Sequence, residues 1–226
     1  MLLFDPTNPL SAAYNPLLEI RKGENEVRDA QNIADILVDP EGALERRNHW
    51  EKTSHSLLVG AILHVLYAEA DKTLAGVANF LSDPSREIDA TLNAMLATPH
   101  LGERVHPVVA SAARELLNKS ENERSGVLST TMSFLGLYRD PVVAKVTGRS
   151  DWRIRELVDG DRPKGRIANE EVLVARRRLH GLSDDANVLH AVVTQRSQIE
   201  IFEGAEHLEQ HDAAARWLVG RDPKLR

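Results

Sequence analysis

The stretch SLLVGAILHVLYA, from Ser56 to Ala68, decides the fold. It contains His64 and falls short of the roughly 20 residues needed to span a bilayer. A buried core helix is the remaining reading. Asn48 and Glu51, just upstream, form a capping-box pattern in which each side chain satisfies a backbone donor of the first turn. The spacing therefore predicts a helix over 50–69. Its surface is apolar almost all round: Leu58, Ile62 and Leu66 make one stripe, and Leu57, Ala61 and Val65 the adjoining one. Only Gly60, His64 and Tyr67 break the pattern, and they fall on one side. Such a helix belongs at the centre of a bundle.

On either side of it the sequence keeps the helical period. In NEVRDAQNIADILVDPEG, Ala30, Ile33, Ala34 and Leu37 share one face and Pro40 lies just past the end. DKTLAGVANFLSDP is a short helix stopped at Asp83-Pro84, and SREIDATLNAMLATP another, ending before Pro99. His106-Pro107 opens PVVASAARELLNK. In NKSENERSGVLSTTMSFLGLYRDP, Ser120 and Glu123 repeat the capping-box pattern, and Val127, Leu128, Thr131, Met132 and Leu135 follow at helical spacing. Asp140-Pro141 stops that helix and starts the next, with Asp as N-cap and Pro at the first position. Asp151 and Trp152, in RSDWRIRELVDGDRP, are expected to fix the exit from the bundle. No alternating strand pattern occurs between 25 and 160. MLLFDPT reads as a short extended segment, and Pro9 and Pro16 keep SAAYNPLLEI irregular. From Lys164 onward the chain still reads helical. The expected fold is mainly α: a helical bundle, a short N-terminal extended segment and a helical C-terminal tail.

Composition narrows the function. The chain has 226 residues, 42% of them hydrophobic but only 4% aromatic, so its core is aliphatic. A formal charge of −6 argues against a surface that coats nucleic acid all over. There is no cysteine, which excludes disulfides and thiolate metal sites and fits the cytoplasm. No signal peptide or membrane segment is visible, so the chain reads as cytoplasmic.

Four groups of residues invite a chemical reading. Glu203, His207 and His211 share a helical face, but Leu208 stands where a zincin has Glu, so a solvated face is preferred to a metal site. Arg166 and Arg176 to Arg178 form a basic cluster without interleaved aromatics, which weakens a single-strand stacking role. His49, Trp50 and His55 cluster at the start of the core helix without a third catalytic group; Trp50 is read as a packing anchor and His55 as a partly buried hydrogen-bonder. Asn118 to Arg124 carry more polar groups than a cap needs. With Ser120 and Glu123 used for capping, Lys119, Glu121 and Arg124 are left to face outward as contact residues. No catalytic, cofactor-binding or metal-binding residue is assigned, and no cofactor is expected.

The segments FDPT, YNPLLEIRKG, DAQNIADILVDPEG, HWEKTSHSLLVGAILHVLYAE, DKTLAGVANFLSDP, HPVVASAARELLNKSENERSGVLSTTMSFLGLYRDPVVAKVTGRSDW and IRELVDGDRP, in this order, resemble the TraG-type coupling proteins of conjugation and type IV secretion. The resemblance covers residues 1–163. It implies an all-α domain inserted into a RecA-like ATPase domain that follows a membrane anchor. It further implies a hexameric ring that couples relaxosome protein, DNA or secreted effectors to the secretion channel, at the inner membrane for full-length members. On this basis residues 1–24 are the remnant of an ATPase-domain strand and linker, 25–163 the all-α domain, and 164–226 an unrecognised helical tail. The chain has no G-x-x-x-x-G-K-[ST] P-loop. After DGDRP it reads KGRIANEEVLV, where the family returns to an apolar ATPase strand, and the acidic metal-binding segment is missing too. The expected function is substrate recognition by a coupling-protein fragment without ATPase motifs of its own. The alternatives are a subunit of a DNA-translocating ATPase whose motor halves lie elsewhere, and a gene remnant.

Overall fold

A computed structural model describes residues 3–39, 48–155 and 199–200. Among these residues the architecture is mainly helical, with seven α-helices: α1 (Glu26–Val38), α2 (His49–Ala68), α3 (Leu74–Leu81), α4 (Ile88–Ala97), α5 (Pro107–Leu117), α6 (Glu121–Leu135) and α7 (Pro141–Val146). Two single-turn 3-10 helices, Pro16–Glu19 and Gly136–Arg139, join them. The extended start shortens to a two-residue strand, β1 (Leu3–Phe4), paired antiparallel with β2 (Ile199–Glu200). The histidine and arginine groups of the tail lie outside the described residues.

α2 is the axis of the bundle and packs against α1, α3, α5 and α6. Leu57, Leu58, Ala61, Ile62, Val65 and Leu66 are all buried, so both predicted stripes are enclosed. Complete burial of an Ile or Leu side chain contributes about 1.5–3 kcal/mol, so this helix alone supplies much of the drive to fold. Its capping box is complete: Asn48 Oδ1 accepts from Glu51 N at 3.0 Å, and Glu51 Oε2 accepts from Asn48 N at 2.8 Å. The interrupted side of α2 has a packing reason. Gly60 lets α5 come close enough that a Cβ built there would lie 2.5 Å from Ala112 Cβ. Gly76 in α3 instead makes room for the turn that precedes the helix, since a Cβ there would sit 2.0 Å from the backbone oxygen of Asp71.

The two ends of the bundle are clasped together. Ala13 N donates to Asp151 Oδ2 and Asp151 N donates to Ala13 O, both at 2.9 Å. Asn15 N donates to Ser150 Oγ at 3.0 Å and Tyr14 N to Val146 O at 3.0 Å. Trp152 stacks on Tyr14 with centroids 4.5 Å apart, and Phe4 meets both rings edge-on. Asp151 and Trp152 therefore do fix the exit, by tying it to the incoming segment.

Candidate functional site

The candidate site is the corner where the N-termini of α2 and α6 meet. Asn48 caps the first helix and Ser120 the second, Ser120 Oγ accepting from Glu123 N at 3.3 Å. The sequence gives no hint that these two turns are neighbours. His49 Nε2 and Glu123 Oε1 lie 2.9 Å apart, joining positions 74 residues distant in the chain. Beside them Trp50 lies over Gly126: a Cβ on that glycine would approach Trp50 Cζ3 to 2.7 Å. The glycine of SENERSG thus makes room for an indole. Trp50 remains 42% exposed, so it anchors the corner with one part of its surface and faces solvent with another.

Two sequence expectations are corrected here. The second capping box is only half formed. The Glu123 carboxylate, instead of reaching back to its own N-cap, accepts from Lys119 Nζ at 2.8 Å and meets His49. Hydrogen bonding from Lys119 and then from His49 holds it below the usual carboxylate range. Nor are Lys119 and Arg124 free to face outward. Lys119 is spent on Glu123, and the Arg124 side chain is only 17% exposed. Arg124 Nη1 donates to Lys119 O at 2.7 Å and Leu117 O at 3.4 Å, two carbonyls left open where α5 ends. Its Nη2 donates to Asp89 Oδ2 at 3.1 Å, and its Nε lies 3.0 Å from Asp89 Oδ1. A guanidinium fork satisfies a helix terminus and a carboxylate at once, as a lysine cannot. Of the three expected contact residues, Glu121 alone is exposed. His55 belongs elsewhere, its Nε2 lying 3.0 Å from Asp35 Oδ1 of α1.

A second polar constellation, at the other end of α2, escaped sequence reasoning. Buried Glu26 accepts from Gly23 N at 2.7 Å, from the Tyr67 hydroxyl, and through Oε1 meets His106 Nε2 at 3.0 Å. Burial pushes its pKa up, but the bonds from Gly23, Tyr67 and His106 together outweigh it and the net direction is down. His64 and His100 are also buried, 2.9 Å apart. The available signal was the Gly60, His64, Tyr67 stripe: polar groups on a buried helix need partners. Glu26 and His100 were not singled out, because nothing in their local sequence says which helix they meet. Among the described residues there is no group of three or more His, Cys, Asp or Glu that could hold a metal ion. None of the described helices is long and apolar enough to cross a membrane.

Comparison with known proteins places the chain in a family. The family described as Type IV secretory system Conjugative DNA transfer matches residues 1–162. Two proteins named Conjugal transfer protein TraG, both from Escherichia coli, are similar to the chain. One is 46% identical over 167 residues and the other 44% over 170, covering 71% and 72% of this chain. The chain belongs to the conjugative DNA transfer family of type IV secretion. It spans about a quarter of the length of these relatives, 26% in both cases. No solved structure matches it.

Proposed function

We propose that residues 25–163 form the substrate-recognition domain of a conjugative coupling protein and that the α2–α6 corner is its contact surface. The observation that carries this reading is the joining of two separate polar turns by His49 and Glu123, with half-exposed Trp50 alongside. Tryptophan is among the side chains enriched where binding energy concentrates at interfaces. Glu121, His49 and Trp50 supply the contact, while Lys119 and Arg124 shape the surface from beneath. The partners are relaxosome protein, DNA or a secreted effector, met on the cytoplasmic side. Residues 1–24 are the remnant of an ATPase-domain strand and linker, and 164–226 an unrecognised tail.

A second reading is that this segment serves a DNA-translocating ATPase ring whose motor lies in the remaining length of such a protein. The clasp between Ala13 and Asp151 favours it. Two chain ends leaving a bundle at one point are what an insertion into another domain requires. On either reading the chain by itself is expected to lack ATP turnover, for want of a phosphate cradle.

The test is a binding titration of the full chain against single-stranded DNA, double-stranded DNA and purified relaxosome protein at two salt concentrations. Glu121→Lys and His49→Ala are compared with wild type, with circular dichroism as the folding control. A several-fold change in affinity for one partner, largest at low salt, supports the reading. Equal affinity for every partner, in all variants at both salts, would return the corner to a purely structural role.

A further inference from the structure

Glu26, Tyr67, His64, His100 and His106 form one continuous hydrogen-bonded chain, and its sense is fixed by backbone donors. Val108 N donates to His106 Nδ1 at 3.1 Å, so that nitrogen carries no proton and Nε2–H is left to donate to Glu26. His106 N donates to His100 Nδ1 at 3.2 Å, so His100 likewise holds its hydrogen on Nε2. That hydrogen points at His64 Nδ1, 2.9 Å away. His64 therefore carries its own on Nε2, which lies 3.5 Å from Glu69 Oε1. Each of the three imidazoles donates from one nitrogen and accepts at the other. Neither His64 nor His100 can take a second proton without breaking a hydrogen bond.

We infer that this chain is a proton-operated latch, which holds the α4–α5 connection against the bundle while His64 and His100 are neutral and releases it when they protonate. The connection, residues 98–106, is a tight turn closed by His100 N and Leu101 N, which both donate to Arg104 O at 2.9 Å. Gly102, at φ 66°, supplies the left-handed residue that this turn needs. The imidazoles of His100 and His106 are what the turn presents to the core. A proton added to His64 at Nδ1 faces the His100 donor head-on. One added to His100 at Nδ1 faces the His106 backbone N–H. Both events push the turn outward.

The surroundings disfavour protonation in the closed state. Burial lowers His64 to about 4, helped by His100 and by Arg86, whose guanidinium lies over the Phe80 ring that stacks on His64. Burial and then His106 lower His100. The charged and titratable neighbours are Glu26 from α1, Lys22 before it, Tyr67 from α2, Glu69 at the C-cap of α2, Lys72 after it, and Arg86 after α3. Among the described residues the counter-charge paired with His64 is Glu69, and its side chain is 42% exposed, which weakens it in water. The latch also reaches the incoming segment. Glu26 binds Gly23 N, and Lys22 Nζ donates to Leu66 O at 3.3 Å while sitting 4.5 Å from the Tyr67 ring centroid.

Amide hydrogen exchange on the full chain, corrected for intrinsic rates, tests this. From pH 6 to pH 5 the opening constant of the amides in 98–106 is expected to rise by close to tenfold for each proton taken up. The amides at the centre of α2 should change less. His64→Asn keeps an acceptor at the Nδ1 position but cannot titrate, so its slope should fall by about one proton. An opening constant for 98–106 in the wild type that changes less than about twofold overturns the latch. So does a slope in folded His64→Asn equal to that of wild type. If His64→Asn does not fold, the wild-type slope and histidine titration by NMR decide together. His64 and His100 titrating near 6.5 without any change in exchange would also overturn it.

Discussion

Gly60 and Ala112 meet where α2 and α5 run closest, so closely that a Cβ on Gly60 would lie 2.5 Å from that of Ala112. Gly60→Ala should therefore destabilise by about 1–3 kcal/mol through overpacking, although alanine is the better helix former. Adding Ala112→Gly should recover part of the loss, because the two residues share one contact. Urea melts of the two single variants and the double variant check this; simple additivity would mean the backbones shift apart at little cost.

Ile62 has no solvent exposure and lies at the centre of the same helix. Ile62→Ala should cost about 2–5 kcal/mol, the sum of lost transfer energy and a residual cavity. A denaturant midpoint moved by less than the equivalent of about 1 kcal/mol would show that the side chain is not enclosed.

Arg124 and Glu121 should behave oppositely although three residues apart. Arg124→Glu places a carboxylate among two carbonyl oxygens and Asp89, and should cost about 2–4 kcal/mol. Glu121→Lys, at an exposed site, should change stability by under about 0.5 kcal/mol. Thermal melts of the two variants side by side would separate a structural arginine from a surface glutamate.

Asp151→Ala opens the clasp and strands the N–H of Ala13, a residue with no exposed surface. A loss of about 1–3 kcal/mol is expected. Proteolysis should then begin in the incoming segment 3–20 before the helices are cut, and mass spectrometry of the first fragments would report the order.

Stability should fall with acid. The His64 pKa of about 4 in the folded state lies below its ordinary 6.5, so folding favours the neutral form. The contribution is present in full above pH 6.5 and is lost as pH falls from there towards 4; at most it is on the order of 3 kcal/mol. Glu26, whose pKa is lowered on folding, adds a loss of the same sign as pH drops below its ordinary 4.5. Urea midpoints at pH 7.5, 6 and 5 should decline in that order. A flat series would remove buried His64 as the cause.

Much of the bundle was legible from residue order. Helix period, caps and stops are local properties, set by neighbours three or four residues away, so α2, α3, α5, α6 and α7 emerge close to where the sequence puts them. Asp140 shows why: its Oδ1 accepts from Val142 N at 2.8 Å and Val143 N at 3.1 Å, a cap that needs no other part of the chain. Family membership was legible for a related reason, since the matching segments run in order along the chain.

The tertiary structure alone decided how charges are spent. Lys119 and Arg124 look free in the sequence because their acceptors, Glu123, Asp89 and the last carbonyls of α5, become neighbours only when α4, α5 and α6 pack. His49 finds Glu123 across 74 residues, and Glu26 finds His106 across 80. Hydrogen bonds and ion pairs act over about 3 Å, so partners that far apart in the chain meet only after the core has fixed which helix faces which.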